Sequence, residues 1–134
     1  MDDRLVAART GHLATVRPDG SPHVVVCCFV VIGDTIYTPV DGKPKRTPEL
    51  QRLRNVGSTP MASLLVDHYE EDWSRLWWIR ADGRARTTGL DDEVAAALRD
   101  KYAQYRDEVA LGDRVVALDV ERIVDWSVTP ARDG

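Results

Sequence analysis

The chain has 134 residues, 43% of them hydrophobic and 30% charged, with a formal net charge of −4. One domain of that length buries a real core without disulfide or metal staples. The acidic balance argues against broad nucleic-acid binding, and no apolar run approaches the roughly 20 residues that span a bilayer. The start, Met1-Asp2-Asp3-Arg4, lacks the basic and apolar regions of a secretory signal, so a cytoplasmic location is expected.

In chain order, residues Asp2 to Arg9 suit a short helix ended by Gly11. His12 to Arg17 alternates as a strand, with Leu13 and Thr15 opposite Ala14 and Val16. Pro18-Asp19-Gly20-Ser21 is a turn. Pro22 to Ile32 is a long β-branched run that reads as one strand buried on both faces. Gly33-Asp34 is a hairpin signal, and Thr35 to Thr38 is a third strand. Residues 39–48 carry too many Pro and Gly for regular structure, and Thr47-Pro48-Glu49 starts a helix. Leu50, Leu53 and Val56 face a core there, before Gly57.

Pro60 to Asp67 is a fourth strand, and His68 to Ser74 a polar connection. Leu76 to Arg86 is a fifth strand with a kink at Asp82-Gly83. Asp91 or Asp92 caps a helix running to Arg106, with the stripe Val94, Leu98, Tyr102 and Tyr105. Arg114 to Val128 is the last strand, with Val116, Leu118 and Val120 on one face. No internal repeat or domain boundary interrupts residues 1–134. The order βββ-α-ββ-α-β indicates a closed or nearly closed antiparallel barrel with helices outside.

No catalytic signature stands out. Cys27 and Cys28 are adjacent, so on a strand they point apart and form no disulfide; they read as small hydrophobes or as a redox pair. His12, His23 and His68 have no metal-ligand spacing. His68 beside Glu70, Glu71 and Asp72 is either a cation site or a solvated acidic loop. The concentrated signal is Lys43, Lys45 and Arg46 before the helix start at Thr47. Cations beside free helix N–H groups suit a phosphate, although a solvated basic loop has the same composition. The second signal is Leu76-Trp77-Trp78-Ile79. One Trp there fills a barrel while its neighbour faces a partner or a flat ligand.

The stretch Gly11 to Val24 resembles the opening hairpin of the pyridoxamine 5′-phosphate oxidase-like (PPOX class), flavin-binding split β-barrels. Tyr37-Thr38-Pro39 followed by Gly42-Lys43-Pro44-Lys45-Arg46 is similar to that family's Tyr-Thr and basic phosphate loop. Leu50 to Val66 and Arg80 to Ala85 resemble its helix and its fourth and fifth strands. The segment Asp67 to Trp78 resembles the actinobacterial, F420-dependent branch.

The resemblance implies a mainly β fold, a six-stranded antiparallel split β-barrel with flanking helices. It implies a homodimer with two cofactors at the interface. The cofactor is coenzyme F420, with FMN as the alternative, and the activity is hydride transfer with a small organic substrate. A non-catalytic F420 carrier or a haem-binding relative, with His68 as the histidine to watch, is the remaining alternative. By the same resemblance Tyr37 and Thr38 lie near the ring and ribityl chain, and Lys43, Lys45 and Arg46 hold the phosphate. Val25 and Val26 run along the ring through their backbone, and Trp78 stands near it where pyridoxamine phosphate oxidases carry a polar residue. Their basic residues on strand two and their C-terminal substrate residues are not matched, which disfavours the vitamin B6 reaction. No catalytic residue and no metal ligand is implied.

Overall fold

The computed structural model describes residues 1–41 and 51–128. Helix α1 (Asp3–Ala7) is capped by the Asp2 carboxylate, which accepts from Arg4 N–H at 2.8 Å. β1 (Gly11–Val16) and β2 (Pro22–Cys27) form the first hairpin. Its turn needs Gly20, whose φ is 89°, and the Asp19 carboxylate accepts from Ser21 N–H at 2.9 Å. β3 (Val30–Ile32) and β4 (Thr35–Asp41) form the second hairpin around Gly33. Then come α2 (Gln51–Ser58), β5 (Met61–His68), a single 3-10 turn (Trp73–Arg75) and β6 (Trp77–Gly89). Helices α3 (Asp92–Lys101) and α4 (Gln104–Asp107) precede β7 (Leu111–Ser127). The helix start expected at Thr47 lies outside the described residues.

The strands make one antiparallel sheet in the order β2-β1-β5-β6-β7-β4-β3. Among the described residues it is a split-barrel sheet with seven strands, and it is open, so the expected six-stranded barrel is corrected in number and closure. The extra strand arises because the run from Pro22 to Ile32 breaks at Cys28-Phe29. There the Phe29 backbone leaves the ladder for α3. Its N–H donates to the Tyr102 hydroxyl at 3.0 Å, and its carbonyl accepts from Lys101 Nζ at 2.9 Å. The Tyr102 hydroxyl in turn donates to the Arg9 carbonyl at 2.9 Å. Nor is β2 buried on both faces: Val24 and Val26 are 60% and 65% exposed. That property belongs to the middle of β7, where Val115 to Leu118 are all buried.

Two cores follow from the alternation of side chains. The inner one lies in the concave sheet and joins Leu13, Phe29, Ile36, Leu64, Ile79 and Leu118 to Leu5 of α1 and to Leu53 and Val56 of α2. The second lies behind β3, β4 and β7, where Val30 and Val115 meet the stripe Val94, Leu98, Tyr102 and Tyr105. That stripe is carried by two helices rather than the single helix expected to Arg106, because the chain turns at Tyr102. The kink expected at Asp82-Gly83 is a register shift against β7. A Cβ on Gly83 would lie 2.0 Å from the Asp119 carbonyl oxygen, so only glycine admits this approach. None of the described helices is long and apolar enough to cross a membrane.

Candidate cofactor site

Strand β4 carries two of the expected site residues on opposite faces. Ile36 and Thr38 point into the barrel, whereas Tyr37 packs against the second core. Thr38 is 1% exposed, and its hydroxyl has no hydrogen-bond partner among the described residues. Next to it, the Pro39 carbonyl accepts from Arg52 Nη2 at 3.1 Å. Arg52 stands on α2 and its buried Nε is also without a partner. Across the mouth, His23 on β2 has a buried Nδ1 in the same condition. Burial lowers the His23 pKa, and the charges of Arg17 and Arg52 lower it further, so its ring is held neutral.

Helix α2 is fixed at this mouth by a polar pin. Asn55 is fully buried and donates to the Thr15 hydroxyl at 3.0 Å, while Gln51 Nε2 donates to its Oδ1 at 2.7 Å. The helix therefore holds Arg52 between β2 and β4 rather than letting it swing into solvent. Buried polar atoms without partners are rare in folded proteins. Thr38 Oγ1, Arg52 Nε and His23 Nδ1 are each enclosed without a partner among the described residues. Arg52 and His23 had no motif to mark them in the sequence. His23 was visible only as a scattered histidine, and Arg52 only as added charge on the helix.

Lys43, Lys45 and Arg46 lie outside the described residues, in the segment that continues from β4. Tyr37 sits in register with Ala117 and Arg86. The Arg86 guanidinium is held charged first by Asp119, at 2.9 and 3.2 Å, and also by the Tyr37 phenol.

Val25 packs against the inner core, whereas Val26 stands on the outer face of the sheet. That outer face also carries Trp78, half-buried and paired across strands with Trp126. Val24, Val26, Met61 and Trp126 remain 60%, 65%, 60% and 41% exposed there, an apolar surface. Among them runs a polar chain. The Ser63 hydroxyl donates to Asp82 at 2.6 Å, and Arg80 donates to both Asp82 oxygens at 2.8 and 3.1 Å. A shallow recess of about 350 Å³ lies between Trp78, Arg80, Leu65 and Tyr69. The structure thus places Arg52 beside the Thr38-Pro39 end of β4 and near His23, while Val26 and Trp78 share the outer face three strands apart. It separates these two groups across the sheet.

His68 is exposed, stacked on Trp77, and its Nε2 faces the Glu70 carboxylate. Cys27 and Cys28 are free thiols. Burial pushes the Cys27 thiol up to about 12, which makes it inert as a nucleophile.

None of the curated proteins matches the chain. Among solved structures, a conserved hypothetical protein of Mycobacterium tuberculosis is similar with a TM-score of 0.71 at 23% identity, over 96% of this chain and 86% of that one. The haem storage protein HutZ of Vibrio cholerae gives 0.66 at 18% identity, over 90% and 86%. An FAD-binding protein of Mycobacterium smegmatis gives 0.56 at 19% identity, over 92% and 88%. These likenesses establish the fold. The model of the pyridoxamine 5′-phosphate oxidase family matches residues 1–127, and on that match, over a sheet of the same architecture, the chain belongs to this family.

Proposed function

We propose that the protein is a homodimeric oxidoreductase that binds coenzyme F420 and transfers hydride between the deazaflavin and a small organic substrate. The observation that carries this reading is the set of unpartnered buried atoms on Thr38, Arg52 and His23, at the mouth from which the chain leads into Lys43, Lys45 and Arg46. A phosphate would accept from the Thr38 hydroxyl and from Arg52 Nε, and the three cations of the following segment would add charge-assisted contacts. Thr38 contributes its side chain to such a ligand, while Tyr37, whose ring points away, contributes backbone. Val25 and Val26 offer backbone along the ring, whereas Trp78, on the outer face, stands apart from the Thr38 site.

A second copy of the chain covering Val24, Val26, Met61 and Trp126 would remove that apolar surface from water and enclose the ring. The bound deazaflavin supplies the hydride chemistry, and the protein orients it and excludes water. No protein nucleophile is required. The preference for F420 over FMN rests on the likeness of Asp67 to Trp78 to the F420-dependent branch. FMN in the same site is the second reading, favoured by the FAD-binding structure among the similar folds.

Parallel titrations with F420, FMN and haem decide the cofactor. FMN binding without F420 binding would overturn the deazaflavin reading. A Soret band on the isolated protein would replace it with haem binding, as the name of the Vibrio cholerae relative suggests. Sizing tests the dimer, and a stable monomer would refute it. Changing Lys45 and Arg46 together to Ala should weaken binding, each lost charge-assisted contact contributing roughly 1.5–3 kcal/mol. Unchanged affinity would move the phosphate elsewhere.

A further inference from the structure

The recess of about 350 Å³ on the outer face takes no part in the Thr38 site. Leu65 and Asp67 of β5, Tyr69 just beyond it, and Trp78 and Arg80 of β6 line it. Register explains the grouping. Asp67 stands directly opposite Trp78, and Leu65 opposite Arg80. Side chains paired in this way share one face, with Cβ atoms about 5 Å apart. On its other side Trp78 is opposite Trp126 of β7, so the indole has a neighbour on each flank. Tyr69 is 62% exposed. The charges in the recess do not balance. The Arg80 fork is filled by Asp82, at 2.8 and 3.1 Å. The Asp67 carboxylate takes no hydrogen bond and no ion pair among the described residues. Glu71, two residues beyond Tyr69, adds to the negative potential. Two aromatic side chains and an aliphatic one therefore surround a single uncompensated negative charge.

We propose that this recess binds a small organic cation, a quaternary or protonated amine, with Trp78 and Tyr69 as aromatic walls and Asp67 as the counter-charge. Cations are drawn to the faces of aromatic rings, and to tryptophan most strongly. A carboxylate beside the rings adds direct attraction. Other ligand classes fit the same residues less well. An anion would meet Asp67, and it would find the Arg80 fork already occupied by Asp82. A neutral apolar ligand would strip water from the Asp67 carboxylate and return no partner. A hard metal ion needs several oxygen ligands, and no group of three or more His, Cys, Asp or Glu side chains converges among the described residues. The volume lies at the small end for ligand pockets, which suits an amine of few carbon atoms. One copy of the chain supplies every lining residue. The inference goes beyond the cofactor reading and does not depend on which cofactor binds.

The test titrates the whole chain with choline and with 3,3-dimethylbutan-1-ol, its neutral carbon isostere, while NMR follows the Trp78 indole N–H. Choline should shift that resonance and bind roughly tenfold more tightly than the alcohol, the scale of an exposed cation–π contact together with an exposed ion pair. High salt should weaken choline and leave the alcohol unchanged. Asp67→Asn should cut the preference roughly threefold without altering the affinity for the alcohol. Tyr69→Leu keeps an apolar side chain but removes a ring, and it should cut the preference by about a similar factor. Both positions are exposed, and circular dichroism confirms that each variant is folded. Absence of choline binding, equal affinity for the two compounds, a preference that survives both substitutions, or shifts centred away from Trp78 overturns the proposal. The F420, FMN and haem titrations succeed or fail separately from each of these results.

Discussion

Replacing Thr38 by Val separates the cost of the unfilled site from the gain of filling it. The two side chains have nearly the same shape, and Thr38 sits on a strand, where a β-branched residue is at home. Its hydroxyl is buried and has no partner among the described residues. An orphaned polar group of this kind costs about 1–3 kcal/mol in the folded state. Thr38→Val should therefore stabilise the cofactor-free protein by about that amount, which for a domain of this size raises Tm by about 4–12 °C. The same change removes a donor to the phosphate, worth about 1.5–3 kcal/mol, so Kd should rise roughly tenfold to a hundredfold. The assays are thermal unfolding at fixed protein concentration without cofactor and a fluorescence titration with F420. A variant less stable than the wild type, or one with unchanged affinity, would refute the placing of the Thr38 hydroxyl toward the ligand.

Tyr102→Phe should lower stability by about 1–3 kcal/mol, because it leaves the Phe29 N–H without its acceptor; an unchanged urea midpoint would show that the β2–β3 break does not depend on this hydroxyl. Gly83→Ala should destabilise by at least about 1–3 kcal/mol, since the new methyl meets the Asp119 backbone rather than a flexible side chain, and thermal unfolding equal to wild type would refute the close approach of β6 and β7. Stability should also follow alkaline pH with two opposed slopes. Burial, with the nearby Arg9 charge, brings Lys101 down to about 8 from an ordinary 10.5, so the unfolded chain binds more protons between those values and stability rises from pH 8. Cys27 is pushed up to about 12 from 9.0 and Tyr102 to about 12 from 10.0, both by burial first, so their contributions are complete below pH 9 and 10 and are lost above. Denaturant unfolding from pH 7.5 to 11 should show a rise that Lys101→Met abolishes, then a fall; a profile that Lys101→Met leaves unchanged would refute the first part.

Much of the sheet was legible in local pattern. Strand β1 shows the expected alternation, with Leu13 and Thr15 inside. The turn at Gly20, the hairpin at Gly33 and the shift at Asp82-Gly83 stand where Gly chemistry put them. The stripe Val94, Leu98, Tyr102 and Tyr105 is buried as its spacing required. The run from Pro22 to Ile32 misled for a physical reason. Its β-branched content dictates extended backbone, but its break at Phe29 is made by Lys101 and Tyr102, more than seventy residues away. Its exposed Val24 and Val26 look like core residues to any local rule, and they stay uncovered because, among the described residues, no helix packs on their face of the sheet, where Met61 of the interior strand β5 is as exposed.

The candidate site divides in the same way. The sequence by itself determined the pieces with local grammar: the strand residues Tyr37-Thr38, paired tryptophans and a family-wide order of motifs. Tertiary structure alone decided that Tyr37 and Thr38 face opposite ways, and that Thr38, Arg52 and His23 each bury a polar atom without a partner among the described residues. Strand alternation and turn chemistry act over a few residues and are written in the chain. Which polar atoms find partners depends on where distant strands and helices come to rest, and that is set only when the sheet curves and α2 is pinned into it.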